Sequence, residues 1–161
     1  MEKPSRDDLI YLACFIDCEG CVQIRRAKLG DGWSYTHTAR IFLANTYWPV
    51  IEALHAIFGG SLELHPPANP NWKMHYRLCF YGRQILELIP EVLPFSRIKH
   101  QQLELILDFQ RHVAAYSGRG GHRFLNPEEV TWRQEQMDKL KALNRRGPEA
   151  RLIDEGFRKL R

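Results

Sequence analysis

At Gly20 the spacing of apolar residues changes from the 3.6 residues of a helix to the two of a strand, and this switch constrains the fold more than any other feature of the chain. Ahead of it, Ser5 followed three residues later by Asp8 reads as a capping box, and acidic side chains suit a first turn, so a helix begins near residues 4–6. On that helix Leu9, Leu12, Ala13 and Ile16 form one apolar stripe, while Tyr11, Cys14, Phe15 and Cys18 form a second on another side. A chain of 161 residues can cover one helix face with its own core, so the second face calls for a partner chain. Small residues at Ala13 and Cys14 would let two such helices approach closely.

Beyond Gly20, Val22 and Ile24 alternate with Gln23 and Arg25. After the turn-forming residues 29–32 comes a β-rich stretch, 33–43, which completes a hairpin. Pro49 at a first turn, Val50, Ile51, Leu54, Ile57 and Phe58 in helical register, and a Gly59-Gly60 stop give a second helix. Residues 61–65 and 72–81 alternate around a Pro- and Asn-rich link and make a second hairpin. Three helices follow, at 84–93, 97–112 and 128–143, with a Gly-rich basic loop over 117–123. This order predicts an α+β fold, an antiparallel sheet with helices on one face. With no internal repeat, the chain reads as one domain over residues 1–161, its core at about 5–144 and a basic helical tail at 145–161.

Lys and Arg total 23 against 19 Asp and Glu, a +4 excess that suits a polyanionic partner without proving one. The tail concentrates the excess in Lys139, Lys141, Arg145, Arg146, Arg151, Arg158, Lys159 and Arg161; it reads equally as a phosphate-binding segment or a solvated helix end. Cys14, Cys18, Cys21 and Cys79 do not form paired CxxC knuckles, so no zinc site is expected, and free apolar cysteines imply a reducing compartment, cytoplasmic or organellar. The charged N-terminus argues against a secretory signal, and the charge-free stretches fall short of the ~20 residues a membrane helix needs. A soluble intracellular protein with no membrane and no small-molecule substrate is expected.

Asp17 and Glu19 stand where the first helix ends, a place that disfavours anions and leaves backbone carbonyls unpaired. A bound cation would relieve both, and carboxylate with carbonyl is the oxygen-rich ligation of Mg²⁺. The alternative is that Asp17 closes a local turn while Glu19 points into water. The hairpins offer hydrogen-bonding types suited to base edges in a major groove: Gln23, Arg25, Arg26, Lys28, Tyr35, His37, Thr38 and Arg40 on the first, His65, Asn71, Lys73, His75 and Arg77 on the second. An ordinary wet face of a half-buried sheet has the same pattern. The sign of the charge favours nucleic acid, since residues 21–40 carry four basic side chains against Asp31 alone.

Leu12-Ala13-Cys14-Phe15-Ile16-Asp17-Cys18-Glu19-Gly20 resembles, in length and order, the motif of the LAGLIDADG homing endonucleases. Asn45-Thr46, Phe58-Gly59-Gly60, Pro94-Phe95 followed by residues 97–102, and Thr131-Trp132 through Leu143-Asn144 resemble further family features in family order. The resemblance implies an αββαββα fold whose saddle-shaped sheet straddles double-stranded DNA. It implies a motif helix at a dimer interface, here Tyr11, Leu12, Ala13, Cys14 and Phe15. One motif copy implies a homodimer and a pseudo-palindromic target. By the same resemblance Glu19 binds the catalytic Mg²⁺ or Mn²⁺ with help from the Cys18 carbonyl, Lys99 lies near the scissile phosphate, Asn45 helps order the attacking water, and Gln102 is a neighbour of the site. An intron-borne gene is implied as well. The sequence departs from the motif at Cys14 in place of the first Gly, Cys18 in place of the second Ala, and Glu19 in place of the last Asp. An RNA maturase or a DNA-binding protein that does not cut remains the alternative.

Overall fold

The computed structural model describes residues 3–28, 35–67, 69–117 and 125–145. Helix α1 (Arg6–Glu19) opens on Ser5, whose hydroxyl accepts from the Asp8 amide at 3.2 Å while the Asp8 carboxylate accepts from the Ser5 amide at 2.9 Å. This is the expected capping box, two orphan donors satisfied reciprocally. Strand β1 (Gly20–Lys28) follows without a linker and pairs antiparallel with β2 (Tyr35–Asn45). The expected hairpin turn and Trp33 lie outside the described residues. Then come α2 (Trp48–Phe58), β3 (Ser61–His65), β4 (His75–Tyr81), α3 (Gly82–Val92), a 3₁₀ turn (Leu93–Phe95), α4 (His100–Ser117) and α5 (Pro127–Asn144). The four strands form one antiparallel sheet in the order β1-β2-β4-β3, so the α+β expectation holds.

Alternation along the strands decides what each sheet face does. Val22 and Ile24 of β1, Ala39, Ile41 and Leu43 of β2, and Leu78 and Phe80 of β4 are buried beneath the helices. They meet Leu9, Leu12, Ala13 and Ile16 of α1, Ile51 and Leu54 of α2, Ile85, Ile89 and Val92 of α3, Leu103, Ile106 and Phe109 of α4, and Met137 and Leu140 of α5 in one core. Among the described residues no helix covers the opposite sheet face.

Several boundaries differ from the sequence reading, and three starts do so for a local reason. β4 starts at His75, not at 72, because Asn69 accepts from the Asn71 amide through its side chain and from the Trp72 amide through its carbonyl, a turn that competes with the ladder. Asn71 and Lys73 are therefore exposed in the link, off the strand. α4 starts at His100, not at 97, because the preceding amides are engaged by Asp17, as described below, and it runs on to Ser117. α3 starts two residues early, at Gly82, whose φ of +48° suits glycine. Residues 118–123 of the basic loop and 146–161 of the tail lie outside the described residues.

Leu12 and Ala13, expected at an interface with a second chain, are instead fully buried in this chain's own core, because helical spacing puts them on the stripe of Leu9 and Ile16. The face that α1 leaves open carries Ile10, Tyr11, Cys14 and Cys18, with Phe15 half-buried beside Tyr11 at 6.1 Å between ring centroids. Among the described residues no helix is long and apolar enough to cross a membrane.

Gly20 makes the direct passage from helix to strand possible. A Cβ there would lie 2.5 Å from the Ile16 carbonyl oxygen and 2.8 Å from the Ile16 Cα, contacts with helix backbone that cannot swing aside. Gly20→Ala is expected to destabilise the fold by about 1–3 kcal/mol, the usual cost of overpacking, read as a lower urea midpoint with an unchanged slope. Wild-type stability in this variant would mean that the helix end has room to move.

Candidate active site and nucleic-acid interface

The end of α1 and the turn before α4 hold each other through a reciprocal exchange of hydrogen bonds. The Asp17 carboxylate is buried; its Oδ1 accepts from Ser96 Oγ at 2.6 Å and the Lys99 amide at 3.0 Å, and its Oδ2 from the Arg97 amide at 2.7 Å and the Ile98 amide at 3.0 Å. In return Lys99 Nζ donates to the carbonyls of Ile16 and Asp17, both at 2.7 Å. Burial alone would push the Asp17 carboxyl up, but the bonds from Ser96, Arg97, Ile98 and Lys99 outweigh it and hold the group below the usual carboxylate range. Burial draws Lys99 below the usual lysine value, opposed by Asp17, Cys18, Cys21 and Glu19.

This geometry corrects the reading of the helix-end acids. Asp17 closes a contact across some eighty residues of sequence, not a local turn. The cation that relieves the α1 carbonyls is the Lys99 ammonium. Ser96 escaped the sequence reading; its one signal was a capping-type residue just ahead of an apolar helical run.

Glu19, two residues on, is exposed at the last position of α1. No group of three His, Cys, Asp or Glu that could hold a metal occurs among the described residues. The α1 end supplies one exposed carboxylate and backbone carbonyl oxygens, all hard donors. That is the share Mg²⁺ takes from protein when phosphate oxygens and water complete its shell, so the donor set fits such an ion.

Lys99 Nζ, bonded to the Ile16 and Asp17 carbonyls, lies at the end of α1 where Cys18 and Glu19 are the next two residues. Asn45 and Gln102 are engaged elsewhere. Asn45 Oδ1 accepts from the Tyr47 amide at 2.9 Å in the turn leading to α2, and Gln102 Nε2 donates to the Leu143 carbonyl at 3.2 Å, tying α4 to the end of α5.

The sheet register sorts the predicted nucleic-acid contacts between two faces. Cross-strand partners Gln23, Arg40 and Tyr81 share the open face, as do Arg25 with Thr38, Glu63 with Arg77, and His65 with His75. Arg26, Lys28, Tyr35 and His37 have the parity of Val22 and Ala39 and so belong to the helix side, which corrects their assignment to a base-reading surface. His37 is buried, with Nε2 3.4 Å from Gln134 Oε1 of α5, and burial pushes its pKa down. The Arg26 guanidinium lies 3.9 Å over the Tyr35 ring.

On the open face the Arg40 and Arg77 guanidinium groups stand 4.5 and 4.8 Å from the centroid of the Phe42 ring, a cation–π pairing that draws two positive charges together. The Nε atoms of both are buried without a hydrogen-bond partner among the described residues. The His65 ring stacks on His75 at 5.0 Å.

An αββαββα chain with two further helices, an open sheet face and an acid-tipped first helix has counterparts among solved structures. The fold is that of the LAGLIDADG homing endonucleases. The homing endonuclease I-CvuI, solved in complex with DNA, superposes with a TM-score of 0.69 over 97% of this chain and 98% of its own at 17% identity. The archaeal intron-encoded homing endonuclease I-Vdi141I, also complexed with DNA, gives 0.68 over 88% and 86% at 15% identity. The LAGLIDADG homing endonuclease I-GzeII gives 0.59 over 80% of this chain but 42% of its own, at 15% identity. No protein-family profile matches the sequence, and no curated protein is significantly similar to it.

The Asp17 exchange has a pH signature. A carboxyl held below its unfolded value contributes stability that is fully present above that value and is lost as pH falls through the folded one. Wild-type stability is therefore expected to decline below about pH 4, while Asp17→Asn loses about 1–3 kcal/mol at neutral pH and shows a flatter acid limb in urea titrations. Parallel acid limbs in the two proteins would remove Asp17 from this role.

Proposed function

We propose that this chain is a LAGLIDADG-type, site-specific, divalent-metal-dependent endonuclease that acts on double-stranded DNA as a homodimer. The observation that carries this reading is the division between the two acids of α1: Asp17 is consumed by the fold, while Glu19 is presented in the open beside Lys99. The DNA complexes of I-CvuI and I-Vdi141I, which share the fold, support duplex DNA as the partner.

The open sheet face, with Arg25, Arg40 and Arg77 against Glu63 among the described residues, provides positive potential that draws a duplex, and strands of this kind can enter a major groove. Support for a second copy comes from the unpartnered face of α1, with exposed Ile10 and Tyr11. Two copies crossing there would bring two Glu19 carboxylates to one place on the duplex and make the target pseudo-palindromic. Glu19 and the Cys18 carbonyl would hold a Mg²⁺ or Mn²⁺ ion, which when bound polarises the phosphoryl oxygen and lowers the pKa of water. Lys99, with its ammonium fixed on the α1 carbonyls, keeps a positive charge next to Glu19 that favours an approaching phosphate. The residues here offer no activated nucleophile, so direct hydrolysis by water is the reaction this site fits.

The test is incubation of the purified protein with duplex DNA spanning the flanks of its own gene, with Mg²⁺ and with chelator. Metal-dependent double-strand cutting is expected. Glu19→Gln is expected to abolish cutting while binding in Ca²⁺ stays unchanged, and full activity in that variant would refute the assignment of Glu19. A duplex bound but never cut would indicate a DNA-binding protein, and preference for structured RNA a maturase.

A further inference from the structure

Among the described residues Glu63 is the one acid on the open face of the sheet, and its carboxylate is held from several sides. Its Oε1 accepts from the Tyr81 hydroxyl at 2.9 Å, its Oε2 from His65 Nε2 at 3.0 Å, and Arg40 Nη2 stands 3.6 Å from Oε2. These partners come from β2, β3 and β4, so the whole width of the central sheet fixes the carboxylate. The bond from His65 above all, with help from Tyr81, the Cys79 thiol and Arg40 and against the effect of burial, draws its carboxyl down to about 2, so it is charged at any working pH.

A carboxylate on a surface that binds a polyanion weakens phosphate contacts, so attraction to the backbone cannot be its purpose. What it offers is an acceptor. The Arg40 side chain behind it is only 9% exposed, whereas the Glu63 side chain is 31% exposed, so on this patch the carboxylate is more reachable than the arginine. An ionised carboxylate has about four lone-pair directions; Tyr81, His65 and the buried Cys79 thiol take three, while Arg40 at 3.6 Å acts as an ion pair beyond hydrogen-bond distance, so one is left for an outside donor. A group held in one rotamer by four neighbours is the arrangement base readout requires.

We propose that Glu63 is a specificity-determining residue that accepts a hydrogen bond from the exocyclic amino group of cytosine in the major groove, with Arg40, Tyr81 and His65 as positioning residues that fix its carboxylate. This rests on the DNA-binding reading above and names the base that part of the sheet selects. Carboxylate to cytosine N4 is a favourable pairing, while guanine O6 and N7 and thymine O4 present lone pairs that repel it. The patch excludes phosphate and contributes discrimination more than affinity.

The test is selection of binding sites from a randomised duplex library in Ca²⁺, with wild-type protein, Glu63→Gln and Tyr81→Phe. The wild-type pool is expected to fix cytosine at one position of each half-site. Glu63→Gln, which presents both a donor and an acceptor, is expected to lose that preference by about 10-fold or more and to shift it toward adenine, leaving the other positions unchanged. Its affinity for mixed-sequence duplex should rise, an effect that a purely structural role would not produce. Tyr81→Phe keeps the charge but loosens the rotamer, and a weakened cytosine preference is expected; this arm decides the matter if Glu63→Gln does not fold. A Glu63→Gln pool identical to the wild-type pool, or weaker binding spread evenly over all positions, overturns the role of Glu63 and leaves DNA binding standing. A wild-type pool with no enrichment overturns both.

Discussion

The exchange between Asp17 and the turn at residues 96–99 is the interaction on which the rest of the arrangement depends. Four donors converge on one buried carboxylate, and the same turn returns a lysine ammonium to the carbonyls that α1 leaves unpaired. Each half would be costly without the other. A buried carboxylate short of donors is pushed toward its neutral form, and a helix end packed against protein without donors leaves orphan carbonyls. Together they fix the end of α1 against the start of α4, and with it the position of Glu19.

The sheet adds a second constraint, that alternation allows each strand residue one face only. The helix side is filled by Val22, Ile24, Ala39, Ile41, Leu43, Leu78 and Phe80, and every cross-strand partner of the remaining residues is thereby settled. The open face can then collect like charges, because Phe42 between Arg40 and Arg77 and the single carboxylate of Glu63 offset part of their repulsion. The Arg40–Glu63 pair lies partly in water, so its contribution is to geometry more than to stability.

Much of this was legible from the residues. The Ser5–Asp8 capping box, the change of period at Gly20, the Gly59-Gly60 stop and the two hairpins are local signals, and local physics reproduces them. Strand parity was legible too: Arg26 and Lys28 share the parity of Val22 and Ile24, and Tyr35 and His37 that of Ala39 and Ile41, so residue type alone misplaced them on the open face. Hydrogen-bonding capacity says what a side chain can contact, and alternation says whether it can reach. What could not be read was the fate of Asp17, Asn45 and Gln102, whose partners are set by the closing of α1 on α4, by the turn into α2 and by the packing of α4 on α5. Leu12 and Ala13 show the same limit, because a helix apolar on two sides does not announce which side its own chain will cover.

The spacing of the two acids explains how one short helix end serves both fold and site. At 3.6 residues per turn, positions two apart differ by about 200° around the axis, so Asp17 and Glu19 must face nearly opposite directions. If Asp17 points into the protein, where its four donors hold it, Glu19 is forced outward, and Gly20 then lets the chain leave as a strand before another side chain can cover it. A one-residue slip would bury Cys18 in place of Asp17 and strand both charges on flanks. The bonds that stabilise α1 against α4 are thus the same ones that leave its exposed carboxylate on the opposite side of the helix.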